Sequence, residues 1–392
     1  MDVDQTSSSP QGDPFDLTDD DLRAAWSVKW TLPPAGVLPA WVAEMDARPC
    51  PPVHAAVRTA VERGTFGYPP FDALTDLREV FAAFAAARYG WQVDPALVVS
   101  TGDVMAGVRF VLETLCERAP VVVPVPSYPP LLHVVPITGR EVVTVPALDA
   151  ERRLDVPAIE AAFAAGARTL LLSNPHNPLG RAWSRLELEA LRDAALRHGA
   201  RVISDEIHAP LVLPGATHVP YASIEGTAEH GTTVTSASKA FNVPGLKCAQ
   251  IVLGTPADAA TLTAVHFVAN HGVSPLGLVA TRAAYTEGGP WLDAVVAALA
   301  DRRAELTKLL TERLPMVAWT PPEATYLGWI DVTGTGLADP VERALTAGGV
   351  MLSRGPDFGP DHHLFTRLAF ATSAERLERI VDGLARAWGT AA

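Results

Sequence analysis

Ser236-Ala-Ser-Lys239-Ala-Phe-Asn-Val-Pro-Gly-Leu-Lys247 follows the β-branched run Thr232-Thr-Val-Thr235, and two stretches upstream are built the same way. Ser173-Asn-Pro-His-Asn177-Pro-Leu-Gly180 follows Thr169-Leu-Leu-Leu, and Asp205-Glu-Ile-His208 follows Arg201-Val-Ile-Ser. In chain order they present an amide, a carboxylate and an amine, each at the end of a short apolar run. Runs of this kind without alternation suit strands buried on both faces, as in a parallel sheet covered by helices. Leu97–Ser100, Val121–Pro124, Glu141–Val145 and Gln250–Gly254 add four more such runs, separated by Ala/Leu-rich helical segments. The pattern predicts an α/β fold with a mostly parallel, doubly wound sheet.

Around this sheet, helical periodicity covers Pro52–Arg63 and Leu74–Tyr89. Ser184-Arg-Leu-Glu187 reads as a capping box opening a helix over Leu186–Arg197, which His198-Gly199 closes. A helical stretch from Leu276 to Arg313 is interrupted near Gly288-Gly-Pro290. Strands are expected at Trp319–Val332, Val350–Ser353 and Phe365–Ala371, with a last helix at Ala374–Trp388. The expected division is an arm and small-domain part over residues 1–50, a large domain over 51–285 and a small α+β domain over 286–392.

At 392 residues with 48% hydrophobic content the chain can bury a large core. A net charge of −13 disfavours nucleic-acid backbones. The acidic N-terminus, with Asp19-Asp20-Asp21 and a polar tail at Ser7–Gly12, lacks the basic flank and apolar core of a secretory signal, and no run is long enough to span a membrane. Cys50, Cys116 and Cys248 form neither a paired framework nor a metal spacing. A cytoplasmic protein is expected, without a metal, nucleic-acid or membrane partner.

Ligands of open α/β sheets collect outside the carboxyl ends of the strands, so Asn177, Asp205 and Lys239 can converge on one crevice. An amide, a buried acid and an amine are what a pyridoxal 5′-phosphate site requires. The amine, Lys239, forms the Schiff base. Asp205 keeps the pyridine nitrogen protonated, and Asn177, with His208 as a further candidate, holds the phenolic oxygen. Thr101-Gly102-Asp103-Val104-Met105 lies at a strand-to-helix turn suited to the phosphate, with Val104 and Met105 in the first turn. Ser236, Ser238 and Lys247 add hydroxyls and a charge. Asp103 would repel the anion, so its side chain is expected to cap the helix. His208 also reads as a core histidine with satisfied partners, and Trp41 and Trp329 as core or pocket wall.

These segments, together with Trp41-Val-Ala-Glu-Met-Asp46, Gly67-Tyr68, Tyr128-Pro-Pro130, Ser238-Lys239-Ala-Phe-Asn242, Ala324-Thr-Tyr-Leu-Gly-Trp329 and Phe365-Thr-Arg367, resemble the MalY/PatB-type cystathionine β-lyases. That group belongs to the aminotransferase class I/II superfamily of fold type I, and the resemblance runs from about Lys29 to the C-terminal helix. It implies a homodimer with shared active sites. Tyr128 would stack on the cofactor ring, Tyr68 would reach the neighbouring subunit's phosphate, and Arg367 would grip the carboxylate of a small amino-acid substrate, with the Ala43 backbone and Asn177 beside it. Apart from the resemblance, Tyr68 and Tyr128 read as packing aromatics and Arg367 as a helix-cap ion pair. The implied reaction is a carbon–sulfur β-elimination giving thiol, pyruvate and ammonia. The same residues would serve transamination, and a regulatory protein that merely retains the cofactor is a further reading.

Overall fold

Val121, Val122 and Val123 can all be buried only in a strand covered on both faces, and all three are fully buried. A computed structural model describes residues 12–265 and 267–389; the polar tail expected from Ser7 lies outside the described residues up to position 11. The strands in chain order are β1 (Leu38–Pro39), β2 (Val98–Thr101), β3 (Val121–Val125), β4 (Val142–Pro146), β5 (Thr169–Ser173), β6 (Arg201–Asp205), β7 (Gly231–Thr235) and β8 (Ala249–Leu253). They are followed by β9 (Ala318–Trp319), β10 (Leu327–Asp331), β11 (Val350–Met351), β12 (Ser353–Arg354) and β13 (Phe365–Ala369).

The seven-stranded sheet has the order β2-β8-β7-β6-β5-β3-β4. Only β8 runs against its neighbours, so the expected doubly wound parallel sheet is present. Period two sorts its side chains. Val121, Val123 and Leu171 pack with the helices Val104–Leu115 and Pro129–Ile137, while Val122, Leu170 and Leu172 pack with Val156–Ala164 and Arg185–His198 on the other face. As expected, the Ser184 capping box opens the latter helix and the Gly199 left-handed cap closes it. Gly107 lets Val104–Leu115 lie close to the sheet, since a Cβ there would stand 2.8 Å from Val234 Cγ1 and 3.0 Å from Thr101 Cγ2.

The later strands differ from the single runs expected. Trp319–Val332 is a hairpin of β9 and β10, because Pro321 and Pro322 lack N–H groups for a ladder. The intervening backbone bonds elsewhere: Glu323 and Ala324 donate to the Gly180 carbonyl, and Thr325 to that of Leu211. Val350–Ser353 is likewise divided, with β11 parallel to β1 and β12 antiparallel to β13. The long helical stretch breaks at Gly288, shared cap of Pro275–Glu287 and Gly289–Arg313, where a Cβ would strike the Phe241 ring at 2.5 Å. Leu74–Tyr89 begins as a 3-10 turn, Asp72–Leu74, before the helix Leu77–Tyr89.

The segment from Asp13 to Asp46 straps across the C-terminal helix. Arg376 donates to Asp19 and to the Leu17 carbonyl, and its guanidinium lies 5.3 Å from the Trp30 ring. Gly107→Ala should lower stability despite a helix-propensity gain of about 1 kcal/mol, because overpacking against rigid Val234 costs about 1–3 kcal/mol; a lower urea midpoint with an unchanged slope is the expected reading.

Candidate active site

The parallel strands β5, β6 and β7 end on one side of the sheet, and the residues just past those ends are the ones singled out from the sequence. Asp205 is the last residue of β6, Lys239 lies four residues beyond β7, and Asn177 four beyond β5. Each loop is braced from within. The Ser173 hydroxyl accepts from Asn177 N–H at 3.3 Å and donates to the Pro175 carbonyl at 3.1 Å. Beyond β7, the Ser236 hydroxyl donates to the Cys248 carbonyl at 2.7 Å and accepts from Ser238 N–H at 3.1 Å. In this structure Ser236 therefore ties the loop together instead of presenting a free donor.

Burial dominates the electrostatics. It pushes the Asp205 carboxyl up to about 7, against the pull of Ile207 N–H; neighbouring Glu206 adds to the rise and Lys239 opposes it. Burial also brings the Lys239 amine down to about 8, assisted by the Arg367 guanidinium, while Glu44 and Asp205 act the other way. Its Nζ donates to the Ala43 carbonyl at 2.6 Å. His208 falls to about 3 through burial and the charges of Lys239 and Arg367, so its ring stays neutral; Nδ1 has no partner. Tyr128 caps the helix Pro129–Ile137, and burial raises its hydroxyl, with Asp205 contributing.

Arg367 comes from β13 and joins the second sheet to the first. It donates to Asn177 Oδ1 at 3.1 Å, to the Trp41 carbonyl at 2.8 Å and to Ser353 Oγ at 3.3 Å, and its guanidinium stands 4.9 Å from the Phe358 ring. Its partners among the described residues are neutral and its Nε is buried without one, which argues against a helix-cap ion pair. Trp329, opposite Arg367 in the ladder, stacks on Phe365.

At the other end of the site, Asp103 caps the helix that begins with Val104 and Met105, accepting from Ala106 N–H at 2.8 Å. Its second oxygen accepts from Lys247 Nζ at 2.7 Å, so part of the charge expected for a phosphate is already taken. Gly102 meets the loop that follows Asn270, where a Cβ would stand 2.8 Å from the Gly272 carbonyl. Tyr68, 88% exposed, lines a hollow with Gly272 on this side, its ring 5.8 Å from that of His271.

The sequence reading assigned no role to Tyr326 or Asn242. The Tyr326 hydroxyl donates to the Ala43 carbonyl at 3.0 Å, and Asn242 bonds both backbone groups of Met45. Buried polar side chains must find partners, which was the available signal; the partner itself lies about 200 or more positions away in sequence.

The donor set fits a cationic pyridine ring with an aldehyde. Asp205 is a buried acid without a cation of its own, which a protonated ring nitrogen would supply, and the orphaned His208 Nδ1 and Arg367 Nε mark polar space left for a ligand. In cofactor-free protein Asp205→Asn should raise stability at pH 8 by up to about 4 kcal/mol. The folded-state pKa is raised, so the carboxylate's penalty is full above about 7 and vanishes below the unfolded value of 3.8. The urea-midpoint difference should accordingly shrink as pH falls through that window.

A sequence model of the family "Aminotransferase class I and II" matches residues 42–384. The cystathionine beta-lyase of Corynebacterium glutamicum is 40% identical over 374 residues, 94% of this chain and 97% of that protein. Cystathionine beta-lyase PatB of Bacillus subtilis is 34% identical, over 92% of this chain and 95% of its own length. The crystal structure of a putative PLP-dependent beta-cystathionase from Corynebacterium diphtheriae superposes with a TM-score of 0.92 at 40% identity, covering 95% of this chain and 98% of that one. With its motifs, sheet order and relatives in agreement over nearly its whole length, the chain belongs to the aminotransferase class I and II family, on the branch of the MalY/PatB-type proteins.

Proposed function

We propose that the chain is a pyridoxal 5′-phosphate-dependent carbon–sulfur β-lyase acting on L-cystathionine or related cysteine S-conjugates. With water, such a substrate gives a thiol (homocysteine from cystathionine), pyruvate and ammonia. The observation that carries the reading is a lysine amine brought down to about 8 between a buried acid and a buried guanidinium, on the scaffold shared with the lyases.

Bound pyridoxal phosphate supplies the electron sink that acidifies the substrate Cα–H and lets a β-substituent leave. The chain's own groups do the rest. Arg367, already aimed by Trp41, Asn177 and Ser353, takes the substrate carboxylate in a two-pronged pair that an ammonium could not match. Lys239 anchors the cofactor aldehyde and, once released, is basic enough to remove the α-proton near neutral pH. Asp205 would hold the ring nitrogen's proton, while neutral His208 and Asn177 would lie on the side of the ring oxygen. Tyr128 would cover the ring, and the turn at Val104 and Met105, with Ser238 and Lys247, would receive the phosphate.

The active form is a homodimer in which Tyr68, exposed in one chain, reaches the phosphate held by its partner. The domain division at residues 50 and 285 is supported by sheet membership, β2–β8 falling between those limits and β9–β13 after them. The enzyme works in the cytoplasm; among the described residues no helix is long and apolar enough to cross a membrane. The family's aminotransferase name favours transamination as a second reading.

Purified protein incubated with cystathionine or S-alkyl cysteines should release pyruvate and free thiol, and with cystine pyruvate and a persulfide, without an added keto acid; a strict keto-acid requirement would select transamination. Lys239→Ala should abolish turnover and the visible absorbance of the bound aldehyde. Arg367→Lys should keep that absorbance and raise KM by 10-fold or so, the value of about 1.4 kcal/mol in carboxylate binding. Mixing Lys239→Ala with Tyr68→Phe should give more activity than either variant alone through hybrid dimers, whereas sites confined to one chain would show no gain.

A further inference from the structure

The Lys239 amine rests on a carbonyl that it shares. Ala43 O accepts Lys239 Nζ at 2.6 Å and the Tyr326 hydroxyl at 3.0 Å. A carbonyl has two lone pairs, so the two donors divide its acceptor strength between them. Tyr326 is fully buried, and the hairpin backbone from Glu323 to Thr325, bonded to Gly180 and Leu211, brings it there.

The carbonyl is itself held in place from two sides. Asn242, three residues after Lys239 and at a φ of 56°, accepts from Met45 N–H at 3.0 Å and donates to the Met45 carbonyl at 2.8 Å. From the other side, Lys29 donates to the Glu44 carbonyl at 2.9 Å and pairs with Asp46 at 2.8 Å, both side chains being 1% exposed. The Trp30 indole N–H also donates to Asp46, at 2.7 Å. The peptide carrying Ala43 O is therefore fixed by its neighbours on the C-terminal side, and its oxygen cannot follow the amine.

We propose that Tyr326 is a positioning residue for Lys239: by sharing the Ala43 carbonyl, it sets the resting place of the free amine and keeps that oxygen from holding the ammonium form too firmly. The inference rests on Lys239 being the reactive amine. The other groups facing it are Arg367, which disfavours its charge, Glu44 and Asp205, which favour it, and neutral His208. Without the phenol, the carbonyl's whole acceptor strength falls to the amine, which favours the charged form.

The chain has four lysines, Lys29, Lys239, Lys247 and Lys308. Cofactor-free protein labelled with 13C at lysine Cε is thus simple to titrate by NMR, with Lys239 assigned by its loss in Lys239→Ala. The Lys239 signal should titrate near about 8 in the parent protein. In Tyr326→Phe it should move upward by roughly half a unit or more, and the rising limb of kcat against pH in the loaded enzyme should move with it while KM holds. Global replacement of tyrosine by 3-fluorotyrosine, a stronger donor of nearly the same shape, should move the titration downward. An unmoved Lys239 titration in folded Tyr326→Phe overturns the proposal; should that variant not fold, an unmoved titration in fluorotyrosine protein does so. Because the titration needs neither cofactor nor substrate, a failure of lyase turnover would sink the proposed reaction and leave this result standing.

Discussion

Placing a carboxyl, an amine and a guanidinium together below the surface is the constraint on which the architecture turns. Asp205, Lys239 and Arg367 are each displaced by burial toward their uncharged forms, and charges left unpaired in such surroundings cost several kcal/mol each. The fold bears that cost by fixing the neighbours. Arg367 reaches three neutral oxygens, Lys239 one carbonyl, and Asp205 a backbone N–H. These neutral partners steady the groups without satisfying them, and a ligand bearing a carboxylate or a ring cation completes what the protein leaves open.

Glu206, next to Asp205 in sequence, has a different part. Glu206 follows directly on the last residue of β6, and its partners Ser204, His218 and Tyr221 N–H hold it away from the Asp205 carboxyl.

Much of this was legible from local pattern. The parallel sheet follows from its unalternating aliphatic runs, and the strand-end positions of Asn177, Asp205 and Lys239 follow from the sheet. Ser184 and Glu187 announced their helix by capping chemistry, and Asp103 its own. What stayed hidden depended on distant pairing. The division of Val350–Ser353 reflects β1, more than 300 residues earlier, and the break before Leu327 reflects bonds to Gly180 and Leu211. Tyr326 and Asn242 are a phenol and an amide in apolar company, and nothing in their neighbours names Ala43 or Met45. The Asp103–Lys247 pair was also unreadable, since each residue alone suited the phosphate turn in opposite senses.

The strap from Asp13 to Asp46 has one more effect. Its strand β1 lies against β11, and its guanidinium partner Arg376 sits in the final helix. During synthesis the segment leaves the ribosome early and must wait, with its apolar Phe15, Leu38 and Met45 uncovered, until almost the whole polypeptide has been made. The carbonyl that accepts from Lys239 is therefore framed by backbone from both ends of the chain, since Asp46 N–H donates to the Ala371 carbonyl and Ala369 N–H to that of Ala40.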